Sequence, residues 1–183
     1  RHYPSTEDVI GVATAPATVS VNGSTSGVLE KEEYFWKDLT VTNSSAPAWT
    51  PVWVTATQGS SVTTSTNYLL SAPTNQVFSY DADGNLTNDS LRSYVWNSEN
   101  RLVTVETLST VTEAGRRKVE LGYDHQGRRT SKKSYVRSGG AWVLQTSILF
   151  VNDGWQLLAE LNSTNKAPVR AYAQGLDLSG TLA

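Results

Sequence analysis

The sequence contains no cysteine and no methionine, and only two of its 183 residues are histidine. Without cysteine there is neither a disulfide framework nor thiolate chemistry. His2 stands near a terminus and His125 within a turn signal, which gives little support to a catalytic triad or a zinc site. The carboxylate pairs are explained better as a turn and a solvated face than as a glycosidase pair. We therefore predict a protein that is not an enzyme and uses no cofactor or metal.

Strong charge and long apolar runs are also missing. Lys and Arg number 15 against 17 Asp and Glu, and the formal net charge is -2. Such a chain has no field that would attract nucleic acid or an anionic membrane. Its apolar runs are only a few residues long, which excludes a membrane-spanning helix. The chain begins at Arg1 rather than at a methionine, so we expect it to be trimmed from a larger precursor or to be a fragment of something longer.

Short alternating segments dominate the first part of the chain. Residues 17–21, 34–41 and 52–57 are rich in Val, Thr, Tyr and Trp and alternate with polar residues. This period of two predicts strands. Asn22-Gly23 is a two-residue hairpin signal, and the prolines at 47, 51 and 73 are expected to break or bound strands. The only helix signal is LEKEEY at residues 29–34, which predicts one or two turns.

The second part of the chain carries a repeat. FSYDADGNLT at residues 78–87 returns as LGYDHQGRRT at 121–130, and a degenerate copy, FVNDGW, occupies 150–155. Each copy predicts a strand, an Asp-x-x-Gly turn and a return strand, because Asp accepts backbone N–H bonds and Gly adopts a positive φ. The predicted turn residues are Asp81, Gly84, Asp124, Gly127, Asp153 and Gly154. We therefore predict an all-β chain with a β-sandwich-like or meander region at 1–74 and a strip of β-hairpins at 75–183.

The first copy also resembles the start of a calcium-binding loop, since Asp81 and Asp83 are followed by Gly84 and Asn85. An EF-hand loop needs Gly at its sixth position and Glu at its twelfth, whereas this sequence has Leu86 and Arg92 there. The second copy has Gln126 where the first has Asp83. The residues that persist are those that a turn needs, so we interpret the motif as structural.

The segment YDADGNLT at residues 80–87, with WNSENRL at 96–102 behind it, resembles the YD-repeat (RHS-repeat) family. The resemblance extends over roughly residues 77–182, because FVNDGWQLLAELN and RAYAQGLDLSGT resemble segments that follow the last YD units of bacterial members. It implies a strip of β-hairpins that spirals into a shell, and a secreted or cell-surface protein. The chain departs from the family in having only two or three units and no self-cleaving or toxin segment.

Six tryptophans are many for this length. A flat indole suits the face of a pyranose ring, but it suits the packing of a sheet or a subunit contact equally well. Their positions in alternating strands favour packing. Trp49, Trp53 and Trp142 are the candidates for sugar stacking or for a subunit contact, and Trp49, between two prolines, is expected to be the most exposed.

The function predicted from these features is extracellular scaffolding. A short β-strip has two open edges, and strands rich in Thr and Val with little charge do not block pairing with another chain. The first strands of one chain are expected to join the last strands of its neighbour, which gives a homo-oligomer or polymer in the form of a filament, tube or shell. Two alternatives are a carbohydrate- or surface-binding module and a shell fragment of a secreted toxin.

Overall fold

A computed structural model describes residues 5–173 of the chain, so His2 and the part of the family resemblance beyond residue 173 lie outside the described residues. The prediction of an all-β chain is confirmed, since the described residues form strands and one short 3-10 turn at Glu113–Gly115. The strands are β1 (Thr6–Val12), β2 (Thr18–Val21), β3 (Leu29–Lys31), β4 (Tyr34–Thr40), β5 (Ala48–Gln58), β6 (Ser61–Ser71), β7 (Ser79–Tyr80), β8 (Leu86–Asn88), β9 (Arg92–Trp96), β10 (Leu102–Thr107), β11 (Arg117–Tyr123), β12 (Arg129–Ser138), β13 (Ala141–Asp153), β14 (Gln156–Asn162) and β15 (Pro168–Ala171). No described helix is long and apolar enough to cross a membrane.

The chain divides into two compact units, Arg1–Val77 and Phe78–Ala183. The N-terminal unit is a small β-sandwich of two antiparallel sheets, ordered β1-β4-β3 and β2-β5-β6. Its core consists of buried apolar side chains from both sheets, namely Val19, Val21, Phe35 and Val52. The alternation of residues 18–21 has the structural meaning that a strand predicts: Val19 and Val21 point into the core, and Thr18 and Ser20 point outward.

The helix prediction for residues 29–34 was wrong. The segment LEKEEY forms the end of β3, a tight turn and the start of β4, with Lys31 opposite Tyr34 and Glu32 at φ 55°. Pairing within the sheet overrides the helix propensity of these residues. Asn22-Gly23 does form the predicted two-residue turn, since both residues have positive φ and the flanking Val21 and Ser24 pair antiparallel through two backbone hydrogen bonds. The pairing extends no further, because β2 pairs with β5.

Pro51 was expected to bound a strand and instead lies inside β5, opposite Tyr68 of β6. β2 pairs with β5 only from Val54 onward, so no strand among residues 5–173 pairs with Pro51 on its other side. There its carbonyl accepts a bond from the Asn22 side chain. A proline without an N–H is tolerated because the nitrogen faces this open edge rather than β6.

Two aspartates face each other on the outer side of the sandwich. Asp8 of β1 stands directly opposite Asp38 of β4. The hydrogen bond to Asp38 and the repulsion between the two carboxylates raise the pKa of Asp8 above its usual value. A carboxyl whose pKa is raised on folding stabilises the protein below its unfolded pKa, and that stability is lost as the pH rises through the folded pKa.

We therefore expect Asp8→Asn to raise the melting temperature of the N-terminal unit at pH 7, because it removes the repulsion between like charges on paired strands. The gain should disappear at pH 3, where Asp8, whose pKa is raised, is protonated and carries no charge. Thermal unfolding at both pH values measures the effect. Asp38→Asn serves as the matched variant and should give the same result, whereas a lower melting temperature for Asp8→Asn at pH 7 would contradict the interpretation.

The C-terminal unit is a single antiparallel meander of nine strands in chain order, from β7 at one edge to β15 at the other. Most of its side chains are half-buried, and the fully buried apolar residues are Leu91 and Val111. Both lie at the lower ends of the strands, where the Leu108 N–H donates to the Leu91 carbonyl. The unit is therefore a single sheet with a small apolar cluster, here called the apolar plug, at one end of its strands. The alternate turns lie in a row at the opposite end of the strands, which is called the upper edge below.

Candidate functional site

Three turns along the upper edge are built in the same way. They begin at Asp81, Asn97 and Asp124, and join β7 to β8, β9 to β10 and β11 to β12. In each turn the first side chain accepts the backbone N–H groups two and four residues ahead, at distances between 2.8 and 3.0 Å. By accepting these bonds, the side chain takes the place of the neighbouring strand, which would otherwise provide acceptors for these N–H groups.

The fourth residue of each turn has a left-handed backbone. The φ values are 84° at Gly84, 56° at Asn100 and 82° at Gly127. Asparagine tolerates this conformation better than other residues with a Cβ, so Asn97 and Asn100 form a full turn of the repeat. The sequence itself predicts a strand, a polar turn and a strand here, and the turn lies between β9 and β10 as predicted. Its fit to the repeat is also visible in the sequence, since an Asx residue is followed three positions later by Asn, as Asp is by Gly in the neighbouring copies.

The fifth residue of each turn links it to the next one. The Asn85 side-chain amide donates to Asn100 Oδ1 at 2.8 Å. The Arg101 guanidinium donates to the Asp124 carbonyl at 2.9 Å, and the Arg128 guanidinium donates to the Gly154 carbonyl. Successive turns are therefore joined by side-chain bonds in addition to the strand ladder, which holds the upper edge at a regular spacing.

In the later copies, the residue before the turn makes a second link, to the preceding hairpin. Trp96 Nε1 donates to the Leu86 carbonyl at 2.7 Å, and the Tyr123 hydroxyl donates to the Leu102 carbonyl at 2.9 Å. Asn152 takes the same place in the degenerate copy and donates to the Arg129 carbonyl at 3.4 Å. The aromatic residues Trp96 and Tyr123 thus each bond their own hairpin to the preceding one.

The degenerate copy differs in its turn. Asp153 lies at the end of β13 opposite Gln156, and Gly154 with Trp155 forms a two-residue turn in which Gly154 has φ 54°. Gly154 therefore supplies a positive φ, as a turn residue should, and its carbonyl receives the bond from Arg128. Asp153 does not occupy the position that Asp81 and Asp124 occupy, since this turn is shorter by three residues and keeps Asp153 in the ladder.

The carboxylates of the turns are held in their ionised form. The hydrogen bond from the Asn85 side chain, aided by backbone N–H groups, lowers the pKa of Asp81. Desolvation raises the pKa of Asp124, but the hydrogen bonds from Arg128 and Gln126 outweigh it, so the pKa lies below its usual value. Their oxygens thus have donors already, and within residues 5–173 no three His, Cys, Asp or Glu side chains are grouped as metal ligands.

One further aspartate that the sequence did not single out is buried. Asp89, between β8 and β9, is 9% exposed. Its Oδ1 accepts the backbone N–H groups of Leu91 and Arg92, and its Oδ2 accepts the Tyr94 hydroxyl at 2.8 Å. Burial and the bond to Asp89 raise the pKa of Tyr94. Asp89 therefore organises the connection at the lower edge, next to the apolar plug.

The three tryptophans proposed for sugar stacking or subunit contact lie in different surroundings. The Trp49 ring stacks on Tyr68 with centroids 5.0 Å apart and the planes within 2° of parallel, so Trp49 is half-buried rather than the most exposed. Trp53 is 39% exposed on the outer side of β5. The most exposed large apolar side chain among the described residues is Trp155, at 76%.

The indole of Trp142 is surrounded by cations. Arg116, Lys118 and Arg137 lie 5.4 to 5.6 Å from the ring centroid. Lys118 also pairs with Glu120, and the bond from Lys118 lowers the pKa of that carboxyl. The hydrogen bond from the Tyr135 hydroxyl to Glu120 raises the pKa of Tyr135 to about 12. The Trp142 ring therefore has three cations of its own chain as neighbours.

No protein-family model, no curated protein and no solved structure matches this chain. Its functional interpretation therefore depends on the geometry of its own residues.

Proposed function

We propose that this protein is a non-catalytic β-scaffold that assembles through the open edge of β6. The supporting observation is the character of that edge, which runs for 11 residues from Ser61 to Ser71 without a charged residue or a proline. Its pairing with β5 is regular and contains no bulge. Edge strands are normally protected by charge, proline, bulges or shortness, and this one has none of these features.

The register shows which backbone N–H and C=O groups of β6 face away from β5 and are available to pair with another strand. The Trp53 N–H donates to Asn22 Oδ1 at 2.9 Å, and its carbonyl accepts the Asn22 N–H at 2.8 Å, so its peptide groups face away from β6. Thr66 stands opposite Trp53. In an antiparallel pair such partners both face outward, and the pattern repeats at every second residue. The outward groups belong to Val62, Thr64, Thr66, Tyr68 and Leu70.

The edges of the C-terminal strip are less suited to assembly. β7 has only two residues, and β15 has four, among them Pro168 and the exposed Arg170. The meander has nine strands, an odd number, so its two edge strands run in the same direction. Joining β15 of one chain to β7 of another, with the same sheet face on the same side in both, would pair them in parallel, which is slightly less stable per residue. β6 is therefore a better edge for assembly than either edge of the C-terminal strip.

Two copies meeting along β6 would run antiparallel about a two-fold axis. The same outward peptide groups would then serve as donors and acceptors on both chains, as an isologous contact requires. The two sheets β2-β5-β6 would become one continuous sheet of six strands. We propose this dimer as the unit of assembly.

We further propose that the C-terminal strip is a repeat of the YD type and that the protein acts outside the cell or at its surface. Three matching Asx turns, the left-handed fourth residue of each and the aromatic link between hairpins support the first part. The location rests on the family resemblance alone, and detection of the mature chain in washed cell surfaces or culture medium tests it.

The assembly is tested by Thr66→Pro, which removes an outward N–H and leaves the β5–β6 ladder intact. Sedimentation velocity should show concentration-dependent dimers for the wild type and a weakening of about tenfold or more for the variant, as loss of about 1.4 kcal/mol implies. Thr66→Ala keeps the N–H and is the matched control, while Thr66→Lys should also disfavour pairing. A wild-type chain that stays monomeric up to high concentration, or a Thr66→Pro chain that dimerises normally, would contradict the proposal.

A further inference from the structure

A groove lies on the C-terminal strip near the turn between β13 and β14. Its volume is about 380 Å³, within the range of small-ligand sites. One wall is apolar and aromatic, formed by Tyr123, Phe150 and Leu157, and Trp155 stands at the rim. Arg129 and Asn152 supply polar groups to the same groove. An apolar floor with a few polar groups is the usual composition of a ligand site.

Trp155 is held in place although its indole is exposed. The turn that carries it is tied to the neighbouring turn, because the Arg128 guanidinium donates to the Gly154 carbonyl. Arg128 is itself fixed by an ion pair with Asp124 at 2.8 Å. The indole is 76% exposed, whereas Trp49 and Trp142 have their ring faces covered by Tyr68 and by cations. A rigid, uncovered indole next to a groove provides a flat apolar surface for a ring.

The charge of the groove is positive. Arg128 is neutralised by Asp124, but Arg129 is exposed and has no ion-pair partner among residues 5–173. The side-chain amide of Asn152 makes one long bond, 3.4 Å, to the Arg129 carbonyl, and stands close to that side of the groove. A guanidinium without a carboxylate partner is a strong donor to an anionic oxygen.

We propose that this groove binds an acidic pyranose, with the sugar ring stacked on Trp155 and its carboxylate bound by Arg129. The combination of a flat apolar ring surface, an amide and a free guanidinium fits a uronic acid better than a neutral sugar. This site differs from the three tryptophans predicted from the sequence. It belongs to the C-terminal unit and does not depend on whether β6 assembles.

The test is calorimetric titration with trigalacturonate and with a hyaluronan tetrasaccharide, each compared with a neutral galactose trisaccharide. We expect at least one acidic probe to bind about tenfold or more tightly than the neutral probe, since a charge-assisted bond is roughly twice as strong as a neutral one. Trp155→Ala should abolish binding of both kinds. Arg129→Gln should reduce binding of the acidic probe to the level of the neutral one.

Trp53→Ala is the matched control, because Trp53 is another exposed indole and should leave binding unchanged. Trp155→Phe keeps a ring and should retain part of the affinity, which separates stacking from loss of the fold. Absence of binding by both acidic probes would overturn the proposal. So would binding that Trp155→Ala does not affect, or a preference for acidic sugars that survives in Arg129→Gln.

Discussion

Gly11→Ala is expected to destabilise the N-terminal unit by about 1–3 kcal/mol, the usual cost of overpacking a core. Gly11 of β1 stands opposite Phe35 of β4, and a Cβ at Gly11 would lie 2.6 Å from two carbon atoms of the Phe35 ring. Phe35 is 5% exposed and packed among Val19, Val21 and Val52, so the ring has little room to move. Chemical denaturation followed by tryptophan fluorescence measures the change.

The sign of this result is informative. With ordinary strand backbone and free space, Gly→Ala would stabilise the protein by about 0.4–1 kcal/mol, because it reduces the entropy of the unfolded chain. A loss of stability would therefore be due to the contact with Phe35. Phe35→Leu is the partner variant, and the double variant should be less destabilised than the sum of the two single changes, with a coupling of about 0.5–3 kcal/mol. A stabilised Gly11→Ala protein would show that the ring moves aside freely.

Asp89→Ala is expected to cost the C-terminal unit about 2–4 kcal/mol, because buried donors without an acceptor carry their full desolvation penalty. The change removes the acceptor of the Leu91 N–H, the Arg92 N–H and the Tyr94 hydroxyl together. Leu91 is 5% exposed, so water cannot replace the acceptor there without opening the plug. Urea denaturation, monitored by hydrogen exchange of the amides in β9 and β10, measures the effect.

Asp83→Ala is the matched control for this prediction. Asp83 is an exposed aspartate in the first turn, and its backbone N–H bonds to Asp81 whatever its side chain is. We expect its change in stability to stay within about 0.5 kcal/mol, as for most surface substitutions. Asp89→Asn keeps one oxygen acceptor and should fall between the two. Equal stability of Asp89→Ala and Asp83→Ala would show that Asp89 is not the organiser of the lower edge.

The parts of the fold that sequence reasoning predicted are those with local causes. Alternation placed β2, β4 and β5, and the Asp-x-x-Gly repeat placed the turns that begin at Asp81 and Asp124, because a turn needs only its own side chains and a left-handed residue. The turn at Asn97 was also predicted, but not as a copy of the repeat, because its Asn100 takes the position of a glycine. LEKEEY was wrongly predicted as a helix, since β1 and β4 supply pairing partners that local propensity does not register.

The candidate site was less predictable for a related reason. The exposure of a tryptophan depends on which residues lie beside it in space. The Trp49 ring stacks on Tyr68, and the Trp142 ring has three cations from other parts of the chain as neighbours. Trp155 looked like part of a degenerate repeat, yet its turn leaves it uncovered beside the groove. The choice of edge is a similar case, because an uncharged stretch such as residues 61–71 becomes an open edge only when β5 is its single neighbour.

The sequence by itself determined that this is an all-β protein with repeated hairpins, because strand alternation and turn chemistry act over a few neighbouring residues. Only the tertiary structure decided that β2 pairs with β5, that Pro51 lies on an open side, that Asp89 is buried and that β6 is the exposed edge. Each of these depends on which distant segments meet. The free energy of contact between such segments outweighs the secondary-structure propensity of either one. The pairing therefore cannot be predicted from a short stretch of sequence.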